Sequence, residues 1–335
     1  MPIWPPVRCS YRKPRLLTSR SGQMDAFTDA LQSLRFRDFK PGLSERRPPW
    51  GTQYPPKAWD VIFYAIQGAP CWLTVDGIEP VRITDNSICI LPHGHAHALR
   101  DSLDTVPLPV RRVRPEGYYG LMRYGGEDGP LTKVYFGSFR LDHHGRNPLW
   151  DALPPYVHVK LREKPSWLDA LFFWFQEEMT HKNAGHASVC SRIGELLIIQ
   201  SIRIYIERLA EDPPNFLAVL HDPQLLRVLD LLHSQSEYPW TLRRLATEAG
   251  MSRSRLAERF SACLGEGPIH YLTNWRIRKA ALMLAETEEK ISIIVQSVGF
   301  RSEPSFNIAF KRRYGLPPGR YRRLYREKLN HPEAV

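Results

Sequence analysis

A chain of 335 residues is long for one domain, so two or three domains are expected. Its formal net charge is +11, and the segment from Trp240 to Lys328 holds 18 Lys and Arg against 8 Asp and Glu. Such a basic segment favours a partner lined with phosphates, because neutralising phosphates releases counterions. An acidic membrane would attract the same charge, but no amphipathic helix with a Trp and Leu face is evident and no stretch is long enough to span a bilayer.

The N-terminal region and the cysteines bear on location. The cysteines are widely spaced, without a Cys-x-x-Cys pair or zinc-binding spacing, which predicts a reduced, cytoplasmic environment. The basic, proline-broken start lacks the apolar core of a secretory signal. Residues 1–23 are predicted to be a disordered basic extension. From Met24, an alternative start of the protein, an amphipathic helix is expected through Leu34.

Short β-branched runs then predict a sandwich or barrel. Turn signals at Gly68, Asp76-Gly77 and Asp85-Asn86 separate four of these runs. The predicted strands are Val61–Gln67, Cys71–Val75, Val81–Thr84 and Ser87–Leu91. Residues 101–133 are interpreted as a long irregular connection, Val134–Leu141 as a further strand, and Pro148–Pro155 as the end of the sheet domain.

The run Pro92-His93-Gly94-His95-Ala96-His97 resembles the second sequence motif of cupin barrels, which implies a histidine facing into a barrel. The first cupin motif has two His and a Glu before a glycine. If that glycine is aligned on Gly68, Val61 stands where the Glu should be and residues 53–60 hold no His, so the motif is missing. His93, His95 and His97 alternate and suit a local Zn or Ni cluster, or they form a turn with one inward His. Our interpretation includes no metal and no cofactor.

The same domain is predicted to bind a small-molecule effector. Four aromatic residues, Trp59, Phe63, Tyr64 and Trp72, suggest a cup, although strand alternation sends only some of them inward. The candidate effector-binding residues are Tyr64, Trp72, His93, His95 and His97. Cys71 and Cys89, on neighbouring candidate strands, form either a thiol switch or two buried, inert cysteines.

Two long helices are predicted after the sheet domain. Ser166–His181 has Leu168, Leu171, Phe172 and Phe175 on its apolar side, and His186–Leu209 has Ile193, Leu196, Leu197, Gln200 and Ile204 at helical spacing. Two such helices after a barrel resemble a dimerisation pair, and the alternative is that they pack on the sheet domain. Asp212-Pro213-Pro214 is a helix stop and a hinge, after which Asp222–Ser234 opens the last domain with Leu225, Val228, Leu229 and Leu232 inward.

One short pattern occurs twice in the last domain. A short apolar helix (Leu242–Ala249, then Ile291–Val298) leads to a glycine (Gly250, then Gly299) and a serine N-cap (Ser252, then Ser302). Two apolar anchors four residues apart follow: Leu256 and Phe260, then Phe306 and Phe310. Each copy is therefore a helix-turn-helix, and the helix Ile269–Glu286 joins the two copies.

These residues, with the closing run Phe310-Lys311-Arg312, Gly315, Pro317-Pro318-Gly319 and Tyr321-Arg322, resemble AraC/XylS-type transcription regulators. The resemblance covers roughly residues 240–323 and implies sequence-specific binding of double-stranded DNA, contact with RNA polymerase, a homodimer and a cupin sensor upstream. A rigid pair of such units places both second helices in successive major grooves, about 34 Å apart.

The predicted DNA-binding residues lie on and beside the second helix of each unit. In the first unit, the side opposite the anchors presents Ser254, Arg255, Glu258 and Ser261 for base readout, while Arg253, Arg259 and Arg276 contact phosphates. In the second unit, Pro304 and Ile308 point at the groove, so readout is expected to be weak there. The full candidate set is Ser252, Arg253, Ser254, Arg255, Glu258, Arg259, Ser261, Arg276, Ser302, Pro304, Ser305, Asn307, Ile308, Lys311 and Arg312.

The sequence thus predicts an α+β multidomain protein. Its parts are a basic extension (1–23), a cupin-like β-barrel sensor domain (24–160), a helical linker and dimerisation pair (161–221) and an all-α domain with two helix-turn-helix units (222–328). The predicted function is a cytoplasmic, non-enzymatic transcription regulator, an activator, controlled by an effector. The alternatives are a cupin-type metalloenzyme with a DNA-binding appendage and an effector-independent architectural DNA binder.

Overall fold

A computed structural model of the chain describes residues 28, 30–31, 34–58, 60–113, 121–141, 147–161, 166–209 and 216–330. The predictions for the basic extension, for most of the helix from Met24, for Trp59 and for Asp212-Pro213-Pro214 lie outside these residues. The chain divides into two units. One contains Leu34–Asp142 and Leu153–Leu209, and the other contains His143–Ala152 and Ala210–Val335. The four predicted parts stay a prediction.

The first unit is rich in strands, as predicted. Its strands are β1 (Phe36–Arg47), β2 (Gly51–Tyr54), β3 (Asp60–Gly68), β4 (Cys71–Val75), β5 (Val81–Ile83), β6 (Ser87–Leu91), β7 (His97–Arg100), β8 (Leu108–Pro109), β9 (Leu121–Gly125), β10 (Thr132–Leu141) and β11 (Val157–Lys160). They form two sheets, in the orders β11-β6-β3-β10-β1-β9 and β5-β4-β7-β2-β8. One buried core takes side chains from both sheets, with Tyr64 and Val134 from the first and Leu73 and Leu99 from the second.

Several strands were missed by the sequence patterns. Strands β1 and β2 precede the first predicted strand, β11 follows the last one, and β8 and β9 lie inside the stretch 101–133 that was interpreted as irregular. Strand β1 has no apolar alternation at its C-terminal end, because its inward residues there are polar: Ser44 is 0% and Arg46 is 1% exposed. It nevertheless pairs along most of its length with β10, antiparallel, and at Leu43–Arg47 with β9, parallel.

Both long helices after the sheets pack on each other within the first unit. The short α1 (Val110–Val113) and α2 (Pro148–Asp151) come first, and the long helices are α3 (Ser166–His181) and α4 (His186–Glu207). The core side of α3 is formed by Leu168, Phe172, Phe175 and Met179, and α4 lies against β1, β6 and β11. Of the residues at helical spacing in α4, Leu196 is 47% exposed, whereas Ile193 and Leu197 are buried together with Ile198. Contact with the sheet leaves the dimerisation role as a prediction.

The predicted helices are present in the second unit, which also contains the helices Phe216–His221 and Pro318–Asn330 that the sequence does not predict. After α2 the helices of this unit are α5 (Phe216–His221), α6 (Pro223–Ser234), α7 (Leu242–Glu248), α8 (Arg253–Leu264), α9 (Pro268–Glu286), α10 (Ile291–Ser297), α11 (Glu303–Tyr314) and α12 (Pro318–Asn330). Asp222 caps α6 by accepting hydrogen bonds from the backbone N–H groups of Gln224 and Leu225. The predicted inward residues of α6, Leu225, Val228, Leu229 and Leu232, are all buried.

Candidate functional site

The first helix-turn-helix is formed by α7 and α8. Gly250 takes the predicted positive φ, +63°, and the Met251 N–H donates to the Ala246 carbonyl to close the turn. The Ser252 hydroxyl accepts from the Arg255 N–H and caps α8, as predicted. The two anchors, Leu256 and Phe260, are completely buried, which fixes the opposite face of α8 toward solvent.

The second helix-turn-helix, α10 and α11, repeats this geometry. Gly299 has a φ of +84°, and the Phe300 N–H donates to the Val295 carbonyl. Ser302 caps α11 by accepting from the Ser305 N–H. The anchors Phe306 and Phe310 are completely buried in a cluster with residues of α9 and α10. Helix α9 therefore contributes to the core of the second copy and is itself buried on several turns.

The predicted readout side of α8 faces solvent. Ser252, Arg253, Ser254, Arg255 and Glu258 are exposed, and Ser261 is half-buried. The exposed set carries two guanidinium groups, one carboxylate and two hydroxyls, so it combines donors and acceptors that suit base edges with cations that suit phosphates.

Two predicted phosphate contacts have partners inside the unit. Arg259 forms an ion pair with Asp222 and donates to the Gln224 side-chain oxygen at 3.2 Å. Arg276 donates to the carbonyls of Ser236, at 2.6 Å, and Tyr238, at 2.8 Å, and partial burial lowers its pKa. These bonds tie α8 and α9 to their neighbours, a role that the spacing of the residues did not reveal.

Helix α11 presents a different surface. Pro304, Ser305 and Asn307 are exposed, and Ile308 is 71% exposed, as the facing of the helix predicted. A groove of about 410 Å³ runs beside Ile308 and is lined by residues of α10, α11 and the loop before α12, among them Ile291, Lys311 and Pro317. Lys311 and Arg312 are exposed next to this apolar surface.

In the first unit, the predicted effector residues separate into different environments. The Tyr64 hydroxyl lies 2.7 Å from His97 Nε2, both side chains are buried, and the His97 Nδ1 contacts the His95 carbonyl. Burial lowers the pKa of His97 to about 4, so its imidazole is neutral at pH 7. His93 Nε2 instead contacts the Leu153 carbonyl at 3.0 Å. Burial also lowers the pKa of the half-buried His95, whose ring lies 5.8 Å from that of His93.

Trp72 and the cysteines depart from the expected arrangement. Trp72 is half-buried between the inward residues Cys71 and Leu73, so it faces away from the core that holds Tyr64. Cys71 and Cys89 do not lie on neighbouring strands, because β4 and β6 belong to different sheets. Both thiols are free and buried in the shared core, and burial raises the pKa of Cys71 to about 12 and raises the pKa of Cys89 well above its usual value.

Sequence reasoning missed a polar cluster in the core of the first unit. Arg46, on the strand that was not predicted, lies among Trp50, Tyr54 and Tyr124. The alternation of Ser44 and Arg46 with charged neighbours was the available signal, but polar residues on both faces of a strand do not indicate an inward side.

In the described part of the chain, no set of His, Cys, Asp and Glu is placed to hold a metal ion. Nor does any helix there have the length and apolar character to cross a membrane.

Comparisons with known proteins agree with this architecture. A family model described as Cupin matches residues 25–207, and a model described as Helix-turn-helix domain matches residues 245–324. A putative AraC-like transcription regulator from Streptomyces lividans is 32% identical over 90% of this chain and 98% of its own. A protein of the same description from Streptomyces antibioticus is 33% identical over 90% of this chain and 99% of its own. Among solved structures, the DNA-binding domain of AdpA, crystallised with a target DNA, is 27% identical over 34% of this chain and 99% of that chain, with a TM-score of 0.31.

A cupin domain followed by two helix-turn-helix units with exposed second helices defines a DNA-binding transcription regulator. Given the identity and coverage of its relatives, the chain belongs to the family of AraC-like transcription regulators.

Proposed function

We propose that the protein reads an operator mainly through α8 and responds to a small molecule bound by its cupin domain. The observation that carries this proposal is the exposed face of α8, which two buried anchors hold in place. Glu258 accepts a hydrogen bond from cytosine N4, and Arg255 donates to guanine or to a phosphate. Ser254 and Ser261 lie on the same side, while Ser252 and Arg253 position the backbone of the DNA.

Helix α11 contributes affinity more than specificity in this proposal. Ile308 and Pro304 have no side-chain donor, so Ile308 offers only an apolar contact, for example to a thymine methyl. Ser302, Ser305, Asn307, Lys311 and Arg312 surround them and hold phosphates. The two helix-turn-helix elements then differ in role, although they repeat one fold.

The regulator acts in the cytoplasm as a homodimer, without catalysis of its own, and activates transcription through RNA polymerase. Exposed apolar side chains on the helix pair support the dimer, because large exposed apolar groups favour protein contacts. On α3, Phe173 and Trp174 are 61% and 55% exposed, and on α4, Leu196 is 47% exposed.

Selection of bound sites from a randomised operator library tests the readout. Wild type is expected to discriminate each base pair under α8 by roughly 1–3 kcal/mol, and those under α11 by less, apart from a thymine at Ile308. Glu258→Ala removes the preference at one position under α8 and leaves the fold unchanged. Glu286→Ala, which removes an exposed carboxylate at the last residue of α9, is the matched control. An unchanged preference in Glu258→Ala would exclude Glu258 from the readout.

A further inference from the structure

Arg46 is a buried cation inside the core of the cupin domain. It follows Ser44 on the inward side of β1 and pairs in register with Tyr124 of β9 and Thr132 of β10. Its side chain is 1% exposed. The guanidinium carbon lies 4.8 Å from the centre of the Trp50 ring and 5.3 Å from that of Tyr124. Three aromatic residues, counting Tyr54, therefore surround one cation.

Two neighbouring donors of this cluster have no acceptor in the described part of the chain. Arg46 Nε donates to the Ser44 hydroxyl at 2.8 Å, and one terminal nitrogen lies 3.5 Å from the Tyr54 hydroxyl, at the limit of a hydrogen bond. The other terminal nitrogen, Nη1, is buried without a partner, and so is Nε1 of Trp50, whose ring contacts the guanidinium. Because an unmade hydrogen bond of a buried charged group costs several kcal/mol, such a pair of donors indicates a missing acceptor.

Arg46 also has no counter-ion among the residues that the structure describes. Among the described residues no carboxylate forms an ion pair with it, and the neighbouring Glu45 pairs with Arg123 and Lys133 on the other side of β1. His97, stacked on Tyr54 with ring centroids 4.8 Å apart, adds no charge at pH 7, because burial lowers its pKa to about 4. A buried cation without a counter-ion is destabilising, so one bound negative charge would stabilise it.

We propose that Arg46 and Trp50 form a binding site for a small organic monocarboxylate. A planar carboxylate accepts from Arg46 and from the Trp50 N–H, and its single charge matches the single charge of the site. The body of the ligand is apolar or aromatic, because Tyr54, Tyr124 and the apolar core line the rest of the cluster. This inference rests on the proposed function, since it names the chemical class of the effector that the cupin domain senses.

The test measures binding of benzoate, phenylacetate and octanoate to the full chain by calorimetry, with benzamide, phenylacetamide and octanamide as neutral analogues. At least one carboxylate is expected to bind, about 100-fold more tightly than its amide. Arg46→Met should weaken that binding by about 100-fold, because it removes the charge. Trp50→Phe keeps an aromatic ring and removes one donor, so it should weaken carboxylate binding by about tenfold. Arg47→Met changes the adjacent residue, which contacts the Gly129 carbonyl, and should leave binding unchanged.

Ligand-free stability separates a binding role from a structural one. Arg46→Met should unfold at the same temperature as wild type or higher, because it removes an unpaired buried charge. If Arg46→Met fails to fold, carboxylate binding by Trp50→Phe tests the proposal instead. The proposal is overturned if none of the carboxylates binds wild type, if the amides or inorganic phosphate bind as tightly, or if neither variant weakens binding.

Operator binding, measured by fluorescence anisotropy with and without ligand, separates this carboxylate site from the proposal that a small molecule controls the regulator. Carboxylate binding that depends on Arg46 but leaves operator affinity and transcription unchanged would keep the site and remove effector control. A neutral compound that changes operator affinity, with no carboxylate bound, would keep effector control and remove the site.

Discussion

His97 links one buried side chain to the acid stability of the cupin domain. It ends the run Pro92–His97, for which the sequence predicts an inward histidine, and it is buried against Tyr64 and Tyr54. Burial lowers its pKa from 6.5 to about 4 in the folded protein, so the unfolded chain takes up a proton first as the pH falls. Stability is therefore complete above pH 6.5 and is lost progressively toward pH 4.

Urea unfolding at pH 7 and pH 5 is expected to reveal this loss. For one such histidine, the free energy of unfolding should fall by about 2 kcal/mol between the two pH values. His97→Gln should reduce that loss by a similar amount, although His158, whose pKa burial also lowers to about 4, contributes its own share. His181→Gln, at an exposed position on α3, is the control and should keep the wild-type pH dependence. An equal pH dependence in His97→Gln and wild type would contradict the assignment.

The two turns of the helix-turn-helix elements differ in how tightly they are packed. Both glycines have a positive φ, which costs an alanine roughly 1–2 kcal/mol. A Cβ on Gly250 would lie 3.9 Å from its nearest neighbour, a Gln224 side-chain atom. A Cβ on Gly299 would lie 2.6 Å from the Cα of Glu237, so the backbone itself would have to move.

Gly299→Ala should therefore be much more damaging than Gly250→Ala. The first is expected to lower the free energy of unfolding by more than about 3 kcal/mol and to abolish operator binding. The second should cost only the strain of its positive φ, roughly 1–2 kcal/mol, and retain binding. Denaturant unfolding and operator titration of the two variants measure both effects. Equal losses would show that packing against Glu237 does not distinguish the turns.

The same elements show what the sequence could predict. The sequence predicts α7 and α10 within one residue, and it predicts the N-terminal caps of α8 and α11, because caps, glycine turns and paired anchors all indicate the same boundaries. Strand β1 was missed, because its inward positions hold Ser44 and Arg46 rather than apolar residues. The candidate sites likewise include one part that local sequence predicts and one part that it does not. The exposed face of α8 could be derived from the burial of its anchors, whereas the cluster around Arg46 depends on pairing between strands far apart in the sequence.

The positive charge of the second unit, which contains both helix-turn-helix elements, has two uses. Most of the formal net charge lies after residue 240. Part of it is engaged within the unit, since Arg259 pairs with Asp222 and Arg276 binds the carbonyls of Ser236 and Tyr238. Arg253, by contrast, is exposed at the start of α8, next to the cap of the helix. Net charge alone therefore overstates the number of phosphates that the unit neutralises.

The salt dependence of operator affinity distinguishes these two uses. If Arg253 contacts a phosphate, Arg253→Gln should lower the slope of log K against log salt by about 0.9 and leave the unfolding temperature unchanged. Arg259→Gln should lower the unfolding temperature, because Asp222 loses its partner, and should leave the slope unchanged. Anisotropy titrations of the full chain between about 50 and 200 mM salt span the range in which phosphate contacts dominate. A reduced slope in Arg259→Gln, with wild-type stability, would instead assign Arg259 to the DNA backbone, as its position on α8 first suggested.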